Sequence, residues 1–134
     1  MSVESKDKTI KVDKKKLRNS FKYAFRGVIQ TYLGEQNMRI HTAIAILVII
    51  CGFIFKISYV EWLICLVLIC LVLMAEFFNT SIEYVVDLAS PKKHPLAKAA
   101  KDTAAAGVLI MAIISSISGL MIFVPKLLHM LEII

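Results

Sequence analysis

Three apolar blocks with almost no charge, Ile40 to Phe55, Trp62 to Ala75 and Thr103 to Pro125, dominate the chain beyond Arg39. An apolar helix needs about 20 residues to cross a hydrocarbon core. The third block spans unaided. The first is lengthened by Arg39 and Lys56, whose long stems let charged heads reach the interface. The second is long enough only if Glu76 lies inside the membrane. Spans are therefore predicted at about 39–57, 61–83 and 102–125. Ahead of them, Leu17, Phe21, Phe25, Val28 and Tyr32 recur at helical steps, while Lys15, Arg18, Lys22 and Arg26 take other faces. That spacing predicts an amphipathic helix over 14–34, its basic face suited to the membrane surface. Residues 1–13 are polar and mixed in charge and are expected to form a disordered basic tail. Neither β-alternation nor an internal repeat is present. The fold expected is an all-α integral membrane domain over 14–134, a surface helix followed by three transmembrane helices.

Composition strengthens this reading. The chain has 134 residues, of which 58% are hydrophobic, and a mean hydropathy of +0.74, far from the balance of a soluble domain. A cleavable signal is not expected, because the first apolar block follows a long basic segment and no small-residue cleavage site succeeds it. Cys51, Cys65 and Cys70 all fall in apolar blocks and read as buried small hydrophobes, not as a disulfide or a zinc site. Charge is uneven: from Met1 to Arg39 there are ten Lys or Arg and four acidic residues, and Lys92, Lys93, Lys98 and Lys101 cluster after the second span. The positive-inside rule then puts the N-terminus and the second loop in the cytoplasm, and the first loop and the C-terminus outside. Nucleic acid is the rival partner for so basic a tail, and three attached spans argue against it.

One segment breaks the apolar logic. AEFFNTSIEYVVDL, Ala75 to Leu88, carries Glu76, Asn79, Glu83 and Asp87 where a lipid-facing helix avoids charge. With Glu76 at zero on a wheel of about 100° per residue, Asn79 falls near −60°, Glu83 near −20° and Asp87 near +20°. The four share one stripe, with Phe77 and Thr80 expected to point elsewhere. At a rise of about 1.5 Å per residue, Glu83 lies near the cytoplasmic boundary and Glu76 about 10 Å deeper. A carboxylate at that depth costs a few kcal/mol unless paired, protonated or hydrated. A protonated Glu76 bonded to a neighbouring helix would be a structural explanation; three acids and an amide on one stripe, with no base on that helix, favour a functional one.

Carboxylate and amide oxygens suit a hard cation such as Mg²⁺, which borrows further ligands from phosphates, and the lysines of the second loop suit the phosphates themselves. Acids and lysines at one boundary describe a metal-nucleotide site. No GxxxxGK[ST], HRD or DFG motif occurs, so phosphoryl transfer here needs another architecture. His41, His94 and His129 are too scattered for zinc or serine-hydrolase chemistry.

The run ExxNTSIExxVD, Glu76 to Asp87, followed by AKAAKDTAAAGVLI, Ala97 to Ile110, resembles the small prokaryotic diacylglycerol kinase and undecaprenol kinase family; SFKYAFRG, Ser20 to Gly27, and EQNMRIH, Glu35 to His41, extend the match. The resemblance covers about Lys16 to Pro125 and implies a homotrimer of three-span subunits in the bacterial cytoplasmic membrane, with sites formed where subunits meet. It implies Glu76 as general base for the lipid hydroxyl with Asn79 beside it, and Glu35 and Glu83 holding the divalent metal on ATP. It further implies Lys101 on the γ-phosphate, Tyr23, Lys92, His94 and Asp102 lining the nucleotide site, Lys16 near its edge, and Asp87 in support. Ala24 stands where some relatives carry serine.

Phosphoryl transfer needs charge neutralisation and in-line positioning more than covalent help, and a boundary site lets ATP arrive from water while the lipid presents its hydroxyl from the membrane. The Lys-rich start and the SFKYAFRG and RIH forms resemble the Gram-positive branch, which implies undecaprenol as substrate with diacylglycerol as the alternative. From another class, a cation-conducting or assembly subunit would also carry an acidic stripe.

Overall fold

The computed structural model describes residues 13–131, so the tail expected over 1–13 lies outside the described residues except for Asp13. Four helices follow in order: α1 (Lys14–Gly34), α2 (Gln36–Ile54), α3 (Tyr59–Ala89) and α4 (Pro95–Met130). The chain divides into two compact units after Gln30.

In the first unit, Asp13 caps α1. Its Oδ1 accepts from the backbone N–H groups of Lys15 at 2.9 Å and Lys16 at 3.2 Å, and its carbonyl accepts the first helical bond, from Leu17. An aspartate in that place satisfies donors that the helix itself leaves open. Asp13 thus begins the helix instead of ending the tail.

The second unit is a set of long apolar helices. α2, α3 and α4 are each long and apolar enough to cross a membrane. Their apolar side chains mostly face outward, among them Ile46, Leu47, Val67, Leu109 and Ile110, whereas the most deeply enclosed side chains are Glu76 and Thr80, both 1% exposed. Such an arrangement inverts the soluble pattern and suits a lipid solvent.

α2 ends at Ile54, short of the 57 expected for the first span. The cause is a Schellman turn: Lys56 takes the left-handed conformation at φ 48°, Ile57 N–H reaches the Gly52 carbonyl at 3.1 Å and Lys56 N–H that of Phe53 at 3.3 Å, which closes the helix. α3 then starts at once with a capping box. Ser58 Oγ accepts from Glu61 N–H at 3.4 Å while the Glu61 carboxylate accepts from Ser58 N–H at 2.6 Å, so donors at the new helix start are satisfied reciprocally. The turn is tight because a Cβ on Gly52 would lie 2.7 Å from the Trp62 ring, and that ring also packs on Phe53 at 4.9 Å.

α3 and α4 make the more extensive pairing. Ala99, Ala100, Ala104 and Gly107 on α4 and Ala75 and Asn79 on α3 border the crevice between them, where small residues permit close approach. Two ion pairs join this antiparallel pair at opposite ends: Glu61 with Lys126 at 3.1 Å and Asp87 with Lys101 at 2.6 Å. α4 begins at Pro95, whose missing N–H costs nothing in the first turn, behind His94 as N-cap.

Candidate active site

The site lies on the half of α3 that leads to the α3–α4 loop. Protein burial falls along the stripe: Glu76 is 1% exposed, Asn79 6%, Glu83 is half-buried and Asp87 exposed. Neither carboxylate oxygen of Glu76, nor Asn79 Oδ1, has a hydrogen-bond partner among the described residues. Buried polar groups in native folds are nearly always satisfied, so three open acceptor atoms on one stripe mark a place built to receive donors.

Asn79 Nδ2 donates to Glu83 Oε1 at 3.1 Å, which orients both side chains through an i, i+4 contact. Thr80, expected off the stripe, is enclosed on it: at about +40° on the same wheel it stands beside Glu76, and its Oγ1 donates to the Glu76 carbonyl at 3.0 Å. The enclosed stripe is wider than the four polar groups, since a threonine closes its own hydroxyl on the turn below and enters a buried face at little cost.

Glu35 joins the site from the break between α1 and α2. It takes extended geometry (φ −106°, ψ 123°) as the N-cap of α2, yet its side chain makes no capping bond, so its carboxylate is free for other use. The preceding Gly34 is close to α3, where a Cβ would meet Tyr84 Oη at 3.7 Å. The fields of Glu35 and Glu83 both act on the Glu76 carboxyl. Two further acids, Glu35 and Glu83, are thereby near one buried carboxyl.

Among the described residues no group of three or more His, Cys, Asp and Glu side chains forms a closed metal cage. A magnesium ion shared with nucleotide phosphates needs only one or two carboxylates. The uncapped Glu35 and the oriented Glu83 are carboxylates that could supply that number.

The positive half is at the α3–α4 loop. Lys101, on the first turns of α4, is paired with Asp87 at 2.6 Å. Lys92 and Asp102 are exposed. His94 Nδ1 accepts from Leu96 N–H at 3.2 Å, which fixes the ring and leaves Nε2 as its outward atom. Lys16 and Tyr23 belong to the first unit, where both border one hollow on α1 with Asn19 and Ser20.

The sequence profile of prokaryotic diacylglycerol kinase matches residues 22–123. The chain is 50% identical over 108 residues to the undecaprenol kinase of Bacillus subtilis, covering 81% of this chain and 88% of that one. It is 37% identical over 113 residues to a diacylglycerol kinase of Synechocystis, 84% of this chain and 65% of that one. Against the diacylglycerol kinase of Pseudomonas aeruginosa it is 30% identical over 92 residues, 69% and 75% of the two chains. With a buried acidic stripe, a facing lysine and these relatives, the chain belongs to the prokaryotic diacylglycerol kinase family and is a lipid kinase.

Proposed function

We propose that this kinase phosphorylates undecaprenol, using ATP, with Glu76 as general base. The observation that carries the proposal is the Glu76 carboxylate, enclosed by protein with both oxygens open. A general base needs an oxygen open to the proton it takes, and among the described residues no donor occupies either oxygen of Glu76.

In the step proposed, the lipid hydroxyl gives its proton to a Glu76 oxygen as its own oxygen forms a bond to the γ-phosphorus. The bond from that phosphorus to the β–γ bridging oxygen breaks, and ADP leaves with the electron pair. Asn79 keeps Glu83 in place through Nδ2 and offers Oδ1 to the incoming groups. Glu35 and Glu83 would hold the magnesium ion, which when bound spreads the charge of the phosphate oxygens. Lys101 exchanges Asp87 for the γ-phosphate. Lys92, His94 and Asp102 serve the nucleotide, and Lys16 and Tyr23 keep the nucleotide roles that the resemblance implies. The N-terminus is cytoplasmic and the C-terminus external on the charge asymmetry of the loops. A homotrimer is proposed because the resemblance implies subunit-shared sites.

Undecaprenol is preferred to diacylglycerol because the relative at 50% identity acts on undecaprenol, whereas that at 37% is a diacylglycerol kinase. The test is purified protein with Mg·ATP and each lipid in parallel, with product resolved by thin-layer chromatography. Faster phosphorylation of undecaprenol supports the reading, and faster phosphorylation of diacylglycerol reverses the preference. Product from neither lipid, with no nucleotide binding, favours a cation-conducting or assembly role.

A further inference from the structure

The end of the bundle remote from Glu83 carries a second charged feature that phosphoryl transfer does not use. Where α2 and α4 finish, Lys56, Lys126 and His129 border a hollow of about 740 Å³ whose remaining wall includes Ile54, Phe55 and Met130. Among the described residues, no acidic side chain borders it. The carboxylate next to it on a packed element, among the described residues, is Glu61 of α3, which is bound to Lys126 and to the backbone of Ser58. Lys56 has no ion pair among the described residues, and it occupies a left-handed position that glycine would fill without steric cost. From Glu61 to Glu83, α3 rises by roughly 33 Å, so this hollow is a separate place at the opposite end of the helices able to cross a membrane.

We propose that the hollow binds the phosphate of an anionic phospholipid. The cations sit at the ends of apolar helices, at the depth where a headgroup lies, and the apolar wall of Ile54, Phe55 and Met130 continues into the outward faces of α2 and α4, where acyl chains run. A free phosphate ion has no use for that wall, and a zwitterionic headgroup does not match the excess of cations. Lys56 and His129 are the groups open to the ligand, while Lys126 divides its charge between the ligand and Glu61.

The test is native mass spectrometry of the full-length protein in neutral detergent, titrated with phosphatidylglycerol or with phosphatidylcholine of the same chains. Phosphatidylglycerol is expected to bind at least about fivefold more tightly, the effect of one interfacial cation on an anionic lipid. Lys56→Gln is expected to remove about that factor, and His129→Gln a smaller part of it. Lys56→Gly removes the same charge while easing the backbone, so a loss shared by both Lys56 variants is not a folding defect. Lys93→Gln with Lys98→Gln, at the other boundary, should leave the preference in place. Equal binding of the two lipids overturns the proposal, as does a preference that survives loss of Lys56 but not loss of Lys93 and Lys98. Displacement of the lipid by millimolar inorganic phosphate would make this a small-anion site and overturn it too.

Discussion

The two ends of the α3–α4 pair use acidic residues in opposite ways. At the α2–α3 turn, Glu61 is spoken for: it caps the start of its own helix and pairs with Lys126. Toward the α3–α4 loop, Glu76 is more deeply enclosed and yet has no partner among the described residues. A satisfied carboxylate at a helix start contributes stability, whereas an unsatisfied buried one costs stability and is retained for what it can accept. One end closes the helices together, and the other keeps acceptors open.

Removing the open acceptor is the most severe way to break that contrast. Glu76→Gln is expected to lower the rate of lipid phosphorylation by a factor of roughly 10² to 10⁴, the range for loss of a general base. Mg·ATP binding and thermal stability should remain, and stability should even rise, because a neutral amide is less costly to enclose. A turnover close to wild type would remove Glu76 from the chemistry. Glu83→Gln should act on the metal instead: Mg²⁺ dependence of ATP binding is expected to move to roughly tenfold higher concentration, the scale of losing one charged oxygen ligand. Unchanged Mg²⁺ titration curves with bound ATP would take Glu83 out of the donor set.

At the closed end the expected effects fall on stability alone. Gly52→Ala would drive a Cβ to within 2.7 Å of the Trp62 ring, a rigid group already packed on Phe53. Overpacking of this kind costs about 1–3 kcal/mol. A lowered unfolding midpoint with unchanged activity of the protein that stays folded is the result that fits. A loss of activity at unchanged stability would mean that the two ends are coupled.

Much of the candidate site was readable from residue order because helical geometry is local. The wheel placed Glu76, Asn79 and Glu83 together without any tertiary knowledge, and the i, i+4 bond between Asn79 and Glu83 is its direct expression. Thr80 widens that stripe, because its hydroxyl is closed on the Glu76 carbonyl and needs no outside partner. The caps also have signals in the residue order: an aspartate ahead of the Lys14–Gly34 helix, and S-x-x-E at Ser58 to Glu61. The Asp87–Lys101 and Glu61–Lys126 pairs are different in kind, since they depend on the register of α3 against α4, which no single helix encodes. The uncapped state of Glu35 depends on how its own backbone leaves α1, and is equally invisible beforehand.

The end of α2 was hidden for a further reason, which supplies the smallest expected effect. A Schellman turn is normally announced by glycine at its left-handed position, and here that position holds Lys56 at φ 48°, so residue order gives no sign that α2 closes at Ile54. If the turn geometry is set by the Gly52 and Phe53 carbonyls and by the burial of Ile57, the lysine side chain is not needed to form it. Lys56→Gly should then preserve α2 and raise stability by about 1 kcal/mol, the order of the steric cost relieved, offset in part by the freer unfolded chain. The measurement is the unfolding midpoint in detergent, without added anionic lipid. A fall in that midpoint would show that the Lys56 side chain itself holds the turn, and the closed end would then owe its stability to a charged group as well as to satisfied backbone.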